Sequence, residues 1–197
     1  MSNSTLGIDP GPTLDKCWGV GINDDGEITS PYMYAEPSDG VCSGSDVLAM
    51  IQDLCVIMPD SPAIIIELPV QQGKWRFHKE VIETRDMAIS LANLALKYTE
   101  NVYLVPAQVI RYQVTAYNPR TCGKADPHIK RHCTLLGHDC TAGGILGDSV
   151  DENGRVCRDK NGKPIHDGVH KRDAAIAALW NWSDPRNQEY KYRGLSE

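Results

Sequence analysis

Four residues with the chemistry of metal ligands lie where predicted elements begin or end. Asp9 follows a short apolar run, and Glu67 follows a continuous apolar, β-branched run. His170 and Asp173 are spaced i, i+3 at the start of a predicted helix, so both project from one helix face. Crowded carboxylates raise each other's pKa unless a cation neutralises them, and hard oxygen ligands suit Mg²⁺ or Mn²⁺. The sequence therefore predicts a divalent-metal site at these four residues.

Such a site suits hydrolysis of a phosphodiester bond. Two ions about 4 Å apart can activate the attacking water and stabilise the leaving 3′-oxygen. We expect Asp9 to bridge both ions, Glu67 to bind one of them, and Asp173 with His170 to complete the other. The expected products carry 5′-phosphate and 3′-hydroxyl ends. Each residue alone has an ordinary interpretation, as a turn, a solvated strand end or a helix cap, but their order and their positions at element boundaries favour the metal site.

The elements that must position these residues are indicated by hydrophobic periodicity and turn signals. Strands are predicted at 5–8, 17–22, 27–34, 63–66 and 102–105, and helices at 47–58, 79–98, after Pro106 and at 171–182. Residues 23–26 form a hairpin turn signal between the second and third strands. The order predicts an α/β fold with a mixed five-stranded sheet, three strands antiparallel and two parallel, flanked by helices. Ligands collect at strand ends in such sheets.

The composition is that of one soluble globular domain, with 41% hydrophobic and 23% charged residues. We expect a single domain over residues 1–197, with an inserted loop or hairpin at about 137–168 and a loose tail after about 183. No apolar run approaches the length of a membrane span, and the first residues lack the features of a signal peptide. We therefore expect no membrane partner and a cytoplasmic location, bacterial or in the host if phage-encoded. Seven cysteines without a secretion signal favour reduced thiols.

The charge distribution bears on nucleic-acid binding. The net charge of −6 is unfavourable for a phosphate-binding surface, but residues 111–131 are locally basic, and the segment after Glu67 interleaves basic and aromatic side chains. Such a segment can stack on an unpaired base and hold phosphates. The alternatives are a solvated face and a hydrophobic contact with the next helix. The predicted DNA-binding residues are Lys74, Trp75, Arg76, Phe77, Arg111, Arg120, Lys130 and Arg131.

A group of cysteines and histidines between 122 and 140 has the ligand types of a zinc site. Its spacing contains no CxxC pair, so ordinary thiols and histidines are the favoured interpretation over a structural zinc. The group consists of Cys122, His128, His132, Cys133, His138 and Cys140.

Three motifs resemble those of the RuvC family of Holliday-junction resolvases, in the RNase H-like superfamily. The family's first-strand motif resembles LGIDPGP at 6–12, followed by WGV at 18–20. Its second acidic strand resembles IIIE at 64–67, and its closing motif, in which His or Asp precedes an Asp by three residues, resembles HKRDAAIA at 170–177. The resemblance spans residues 5–180, and it is specific at these three sites.

The resemblance implies an RNase H-like fold and a magnesium- or manganese-dependent endonuclease with two ions per site. By this resemblance Asp9, Glu67, His170 and Asp173 are the catalytic metal ligands, and Lys124 lies near the place of a basic residue that faces the scissile phosphate. The implied partner is branched DNA such as a four-way junction, cut by a homodimer.

Two departures leave the exact substrate open. The loop after Asp9 has extra residues at 12–16, and the segment 137–168 is long. The Pro-Thr at 12–13 resembles RuvC-like proteins of phages. The alternatives are another RNase H-like nuclease, which cuts flaps or RNA–DNA hybrids, and a non-catalytic branched-DNA binding protein. An actin-like phosphotransferase also begins with a Gly-Ile-Asp-x-Gly strand, but it needs a second domain and a second phosphate loop, for which the chain has no room.

Overall fold

The computed structural model describes residues 4–23, 25–28, 40–57, 62–69, 79–116, 137, 144–165 and 167–194. Within these ranges the strands are β1 (Thr5–Asp9), β2 (Trp18–Ile22), β3 (Val41–Ser43), β4 (Ala63–Leu68) and β5 (Val102–Pro106). The helices are α1 (Ser45–Ile57), α2 (Lys79–Ala95), α3 (Ala107–Thr115) and α4 (Asp167–Ala178), with short 3-10 helices at Leu14–Lys16 and Pro185–Tyr190. None of the helices in the described part of the chain has the length and apolar character needed to cross a bilayer.

The strands form one sheet with the order β3-β2-β1-β4-β5. β1 pairs antiparallel with β2, and β2 pairs antiparallel with β3, whereas β1–β4 and β4–β5 are parallel. The predicted mixed α/β sheet is confirmed. Because β1 and β4 run in the same direction, their carboxyl ends lie at one edge of the sheet. Ile8 is in register with Ile66, so the next residues along the two strands, Asp9 and Glu67, are neighbours.

Helices cover both faces of the sheet. α1 and α2 pack on one face, against a core that includes the strand residues Leu6, Ile8, Ile64 and Ile66. α4 packs on the other face through a row of small side chains, Ala174, Ala175, Ala177 and Ala178. Successive side chains of a strand alternate between faces. Asp9 and Glu67 therefore point to the face that α4 covers.

Gly7 allows α4 to lie directly on β1. A Cβ atom at this position would be 2.0 Å from the backbone oxygen of Ala174 and 2.2 Å from the backbone nitrogen of Ala178. These distances are far below any van der Waals contact, so only glycine fits between strand and helix. This close approach, which is a common reason for a glycine inside a strand, brings the first turns of α4 down to the carboxyl ends of β1 and β4.

The third strand of the sheet is not the predicted segment 27–34. Val41–Ser43 pairs with β2 in its place, with Trp18 opposite Ser43. The hairpin turn at 23–26 does form, since the amide of Asn23 donates to the carbonyl of Glu27, but Ile28 then makes an isolated bridge to Ile22. Residues 29–39 lie outside the described part of the chain. A three-residue strand has no periodic pattern, and sequence rules therefore favoured the longer apolar segment.

The segment ahead of α4, where an inserted loop or hairpin is predicted at about 137–168, contains two tight turns. In one of them the amide of Gly162 donates to the carbonyl of Asp159 at 2.9 Å. A second turn of the same kind joins Gly154 to Asp151, and isolated antiparallel bridges flank both turns. α4 itself begins at Asp167 and ends at Ala178, earlier at both ends than the predicted 171–182.

The tail packs against β5, so the prediction of a loose segment after about 183 is wrong for residues up to 194. Asn187 is 3% exposed and exchanges two hydrogen bonds of 3.1 Å with Gln113. The ring of Tyr190 meets that of Trp180 edge-on at 5.9 Å, and the amide of Tyr192 donates to the carbonyl of Val102. Because the tail is polar in composition, the sequence alone does not indicate these few packing contacts.

Candidate active site

Three buried carboxylates meet at the carboxyl ends of β1 and β4. Asp9 is the last residue of β1 and is 8% exposed, and Glu67 is the next to last residue of β4 and is also 8% exposed. Asp173 comes from α4, which lies across these strand ends, and it is 5% exposed. The structure thus brings together three residues that are more than fifty positions apart in the sequence.

Burial and mutual repulsion raise the pKa of two of these carboxyls. The pKa of Glu67 is raised to about 8, first by burial and then by the charges of Asp9 and Asp173, while Arg111 opposes the shift. The pKa of Asp173 is raised to about 6, chiefly by burial, which outweighs the lowering effect of Arg111. With its pKa raised to about 8, Glu67 keeps its proton at neutral pH unless a cation joins the site.

Two basic side chains flank the carboxylates. His170 lines the outer side, where its half-exposed ring places Nδ1 2.7 Å from Oδ2 of Asp9. Arg111, on α3, donates from Nη2 to Oδ2 of Asp173 at 2.7 Å. Nη2 of Arg111 is directed to the carboxylate cluster, and the side chain as a whole is 31% exposed. The predicted contact of Arg111 with the DNA backbone stays a prediction. No local pattern in the sequence indicates this pair, because the two residues are 62 positions apart.

Two oxygens of the cluster are buried without a hydrogen-bond partner among the described residues, namely Oε2 of Glu67 and Oδ1 of Asp173. A buried carboxylate oxygen without a donor is costly. Because the cluster is made of hard oxygen donors, Mg²⁺ or Mn²⁺ is the partner whose chemistry fits it.

In this structure the acidic side chains of the cluster do not converge on one common point. Within the described ranges, no three His, Cys, Asp or Glu side chains are gathered closely enough to hold a metal ion as they stand. Asp9 directs Oδ2 to His170, and Asp173 directs Oδ2 to Arg111. Metal binding therefore requires a turn of at least one carboxylate toward the others.

A cleft of about 790 Å³ opens beside His170. Its walls come from the loop after Asp9, including Gly11 and Lys16, from Trp18 at the start of β2, and from Thr84 on α2. Trp18 is opposite Asp9 in the sheet register. Nζ of Lys171 lies 4.9 Å from the centroid of the Trp18 ring. The volume lies in the range of sites that hold small molecules or parts of polymers. Asp9, Glu67 and Asp173 do not line this cleft, but His170 does, and its ring contacts Asp9.

The remaining predicted site residues lie outside the described residues and stay predictions. They are Lys124, Lys74, Trp75, Arg76, Phe77, Arg120, Lys130 and Arg131, and the same holds for the cysteines and histidines between 122 and 140.

Comparisons with known proteins found no matching family model and no matching curated protein. Two solved structures with a similar fold are those of RuvC from Thermus thermophilus. The one in complex with a Holliday junction substrate is 14% identical over 90% of this chain and 91% of that chain, with a TM-score of 0.49. The other is 14% identical over 89% and 91%, with a TM-score of 0.42. Similarity at this level carries no argument, so the fold and the function are argued from the residues of this chain.

Proposed function

We propose that this chain is a divalent-metal-dependent endonuclease that hydrolyses phosphodiester bonds in branched DNA, with four-way junctions as its preferred substrate. Asp9, Glu67 and Asp173 are the proposed metal ligands, with His170 beside Asp9, and the products carry 5′-phosphate and 3′-hydroxyl ends. The preference for branched DNA comes from the resemblance of the three motifs to the RuvC family, as does the expectation that the chain acts as a homodimer.

The observation that carries the proposal is the burial of three carboxylates near the carboxyl ends of β1 and β4. Each is at most 8% exposed, and burial and mutual repulsion raise the pKa of Glu67 to about 8. A fold whose only task is stability gains nothing from such a cluster, because uncompensated buried charge is strongly destabilising. Perturbed acids beside a cleft are instead typical of functional sites.

The proposed reaction assigns a task to each residue. A divalent ion bound here would supply positive charge at the scissile phosphate and lower the pKa of a water molecule. Glu67 must release its proton before it can act as a ligand, so its raised pKa couples binding to pH. Nδ1 of His170 lies 2.7 Å from Oδ2 of Asp9. This contact fixes the imidazole at the wall of the cleft, where the phosphate backbone of the DNA would enter.

Cleavage assays with purified full-length protein test the proposal. The substrates are an end-labelled four-way junction, a flap, an RNA–DNA hybrid and a linear duplex, each with Mg²⁺, Mn²⁺ or EDTA. We expect cleavage of the junction with metal, none with EDTA, and nicks that DNA ligase reseals. Asp9→Asn, Glu67→Gln and Asp173→Asn should abolish cutting and leave junction binding in place. Asp15→Asn, at the cleft edge but outside the cluster, is the matched control and should cut normally.

The outcomes separate the alternatives. Normal cutting by Asp9→Asn, or cutting in EDTA, would contradict the assigned site. Preference for the flap or the hybrid would keep the site and replace the substrate. Junction binding without cutting under any metal would indicate a non-catalytic binding protein. Sedimentation of the junction complex at known stoichiometry tests the homodimer.

A further inference from the structure

The ion pair between Arg111 and Asp173 links α3 to the carboxylate cluster. Nη2 of Arg111 donates to Oδ2 of Asp173 at 2.7 Å, and the Asp173 side chain is 7% exposed. A charge-assisted bond of this length, in a place from which water is largely excluded, restricts the rotation of the carboxylate.

The two oxygens of Asp173 are in different situations. Oδ2 accepts from Arg111, whereas Oδ1 is buried and has no hydrogen-bond partner among the described residues. A carboxylate held at one oxygen presents the other in a fixed direction. The same division is found in metal sites where an outer residue orients a ligand.

We propose that Arg111 is a positioning residue, which holds Asp173 by Oδ2 so that Oδ1 is presented to a metal ion shared with Asp9 and Glu67. This inference rests on the proposed function. It differs from the predicted contact of Arg111 with the DNA backbone, because the side chain is 31% exposed and its Nη2 is bonded to Asp173.

Charge balance points to the same arrangement. Asp9, Glu67 and Asp173 carry three negative charges when ionised, and Arg111 offsets one of them. When the imidazole of His170 beside Asp9 is neutral, the remaining two are balanced by one divalent ion. Arg111 therefore acts as a fixed partial counter-charge and leaves room for the ion.

Manganese binding in the absence of DNA tests the proposal without any need for activity. Free Mn²⁺ is measured by electron paramagnetic resonance during titration of wild type, Arg111→Met, Arg111→Gln and Arg111→Lys. We expect the apparent Kd to rise about 10- to 100-fold in Arg111→Met and Arg111→Gln, and less in Arg111→Lys, which restores charge and one donor. Arg186→Met is the matched control, since Arg186 forms a 2.6 Å pair with Asp184 on the surface, and it should bind Mn²⁺ as wild type does.

Junction binding provides the second readout. Each Arg111 variant is combined with Asp9→Asn to prevent cutting, and its affinity for a four-way junction is measured against salt concentration. A positioning role predicts an unchanged salt slope, whereas loss of a phosphate contact lowers the slope by about one. Thermal unfolding in EDTA shows which variants fold. If Arg111→Met does not fold, the Mn²⁺ affinity and the salt slope of Arg111→Gln and Arg111→Lys are used to test the positioning role.

Two results would overturn the inference. Mn²⁺ binding by the Arg111 variants as tight as wild type, or tighter, would mean that Arg111 is idle or competes with the ion. A reduced salt slope with unchanged Mn²⁺ binding would restore the DNA-contact interpretation. If Asp9→Asn and Glu67→Gln alone also leave Mn²⁺ binding unchanged, the proposed metal site fails, and this failure is distinguishable from that of the Arg111 inference.

Discussion

The contact of α4 with Gly7 predicts that one methyl group whose nearest neighbours are backbone atoms of α4 will disable the site. In Gly7→Ala the new Cβ would lie 2.0 Å from the backbone oxygen of Ala174. Ordinary contact begins at 3.4 Å, so the deficit is 3.4 − 2.0 = 1.4 Å. Because the obstructing atoms belong to the helix backbone, no side-chain rotation relieves the clash. α4 must therefore move away from β1 by about 1.4 Å, and it carries Asp173 and His170 with it.

Two effects of this displacement can be measured. Overpacking of a core costs roughly 1–3 kcal/mol, which thermal unfolding in EDTA will show as a lower Tm. A misplacement of about 1 Å in a reactive geometry costs roughly 100-fold in rate, so single-turnover cleavage of the junction should fall at least that far. Gly19→Ala in β2 is the control, since its Cβ would meet the side-chain sulfur of Cys42 at 2.9 Å, which can shift. We expect Gly19→Ala to cut at close to the normal rate.

Normal cleavage by Gly7→Ala would refute this reasoning, because the helix would then carry its ligands without resting on β1. Equal losses in Gly7→Ala and Gly19→Ala would also refute it, since the effect would be one of glycine replacement in any strand. A lower Tm with unchanged cleavage would separate packing from positioning.

Three further predictions concern charge and packing. Since the pKa of Glu67 is raised from 4.5 to about 8, the folded chain binds more protons than the unfolded chain between these pH values. The free energy of unfolding in EDTA should therefore fall as pH rises through this window, by at most about 1.4 kcal/mol per pH unit from Glu67. Urea unfolding at several pH values measures this dependence. An equally steep dependence of the unfolding free energy on pH in Glu67→Gln would contradict the prediction. The charge balance of the cluster predicts that each chain binds one Mn²⁺ in the absence of DNA, which titration calorimetry measures. A stoichiometry of two would contradict this, because a second ion would then bind without the substrate phosphate. Asn187→Leu should lower the free energy of unfolding by roughly 1–3 kcal/mol, because Gln113 loses its buried partner; an unchanged urea midpoint would mean that the tail contributes little.

The sequence was sufficient to predict the elements that carry the site. Asp9 and Glu67 follow apolar strands whose pattern is unmistakable, and the i, i+3 spacing of His170 and Asp173 predicts a shared helix face. The parallel pairing of β1 and β4 then makes the two strand ends meet, as the mixed-sheet prediction requires. These inferences depend on local periodicity, which a single sequence displays.

Other features depend on contacts between distant segments and could not be read locally. The pairing of Arg111 with Asp173 joins residues 62 positions apart, and the strand Val41–Ser43 is too short to show a pattern. The packing of Asn187 on Gln113 likewise has no signal in a polar tail. Gly7 is an intermediate case, because a glycine inside a buried strand indicates close approach of another backbone but not which segment approaches.

The most direct test of the proposed site is a crystal of the wild-type protein soaked in Mn²⁺, measured at a wavelength that gives anomalous scattering from manganese. We predict an anomalous peak about 2.1 Å from carboxylate oxygens of Asp9 and at least one of Glu67 and Asp173. A well-ordered map with no peak at these residues, or with manganese bound only elsewhere, would contradict the proposal that the three carboxylates form a metal site.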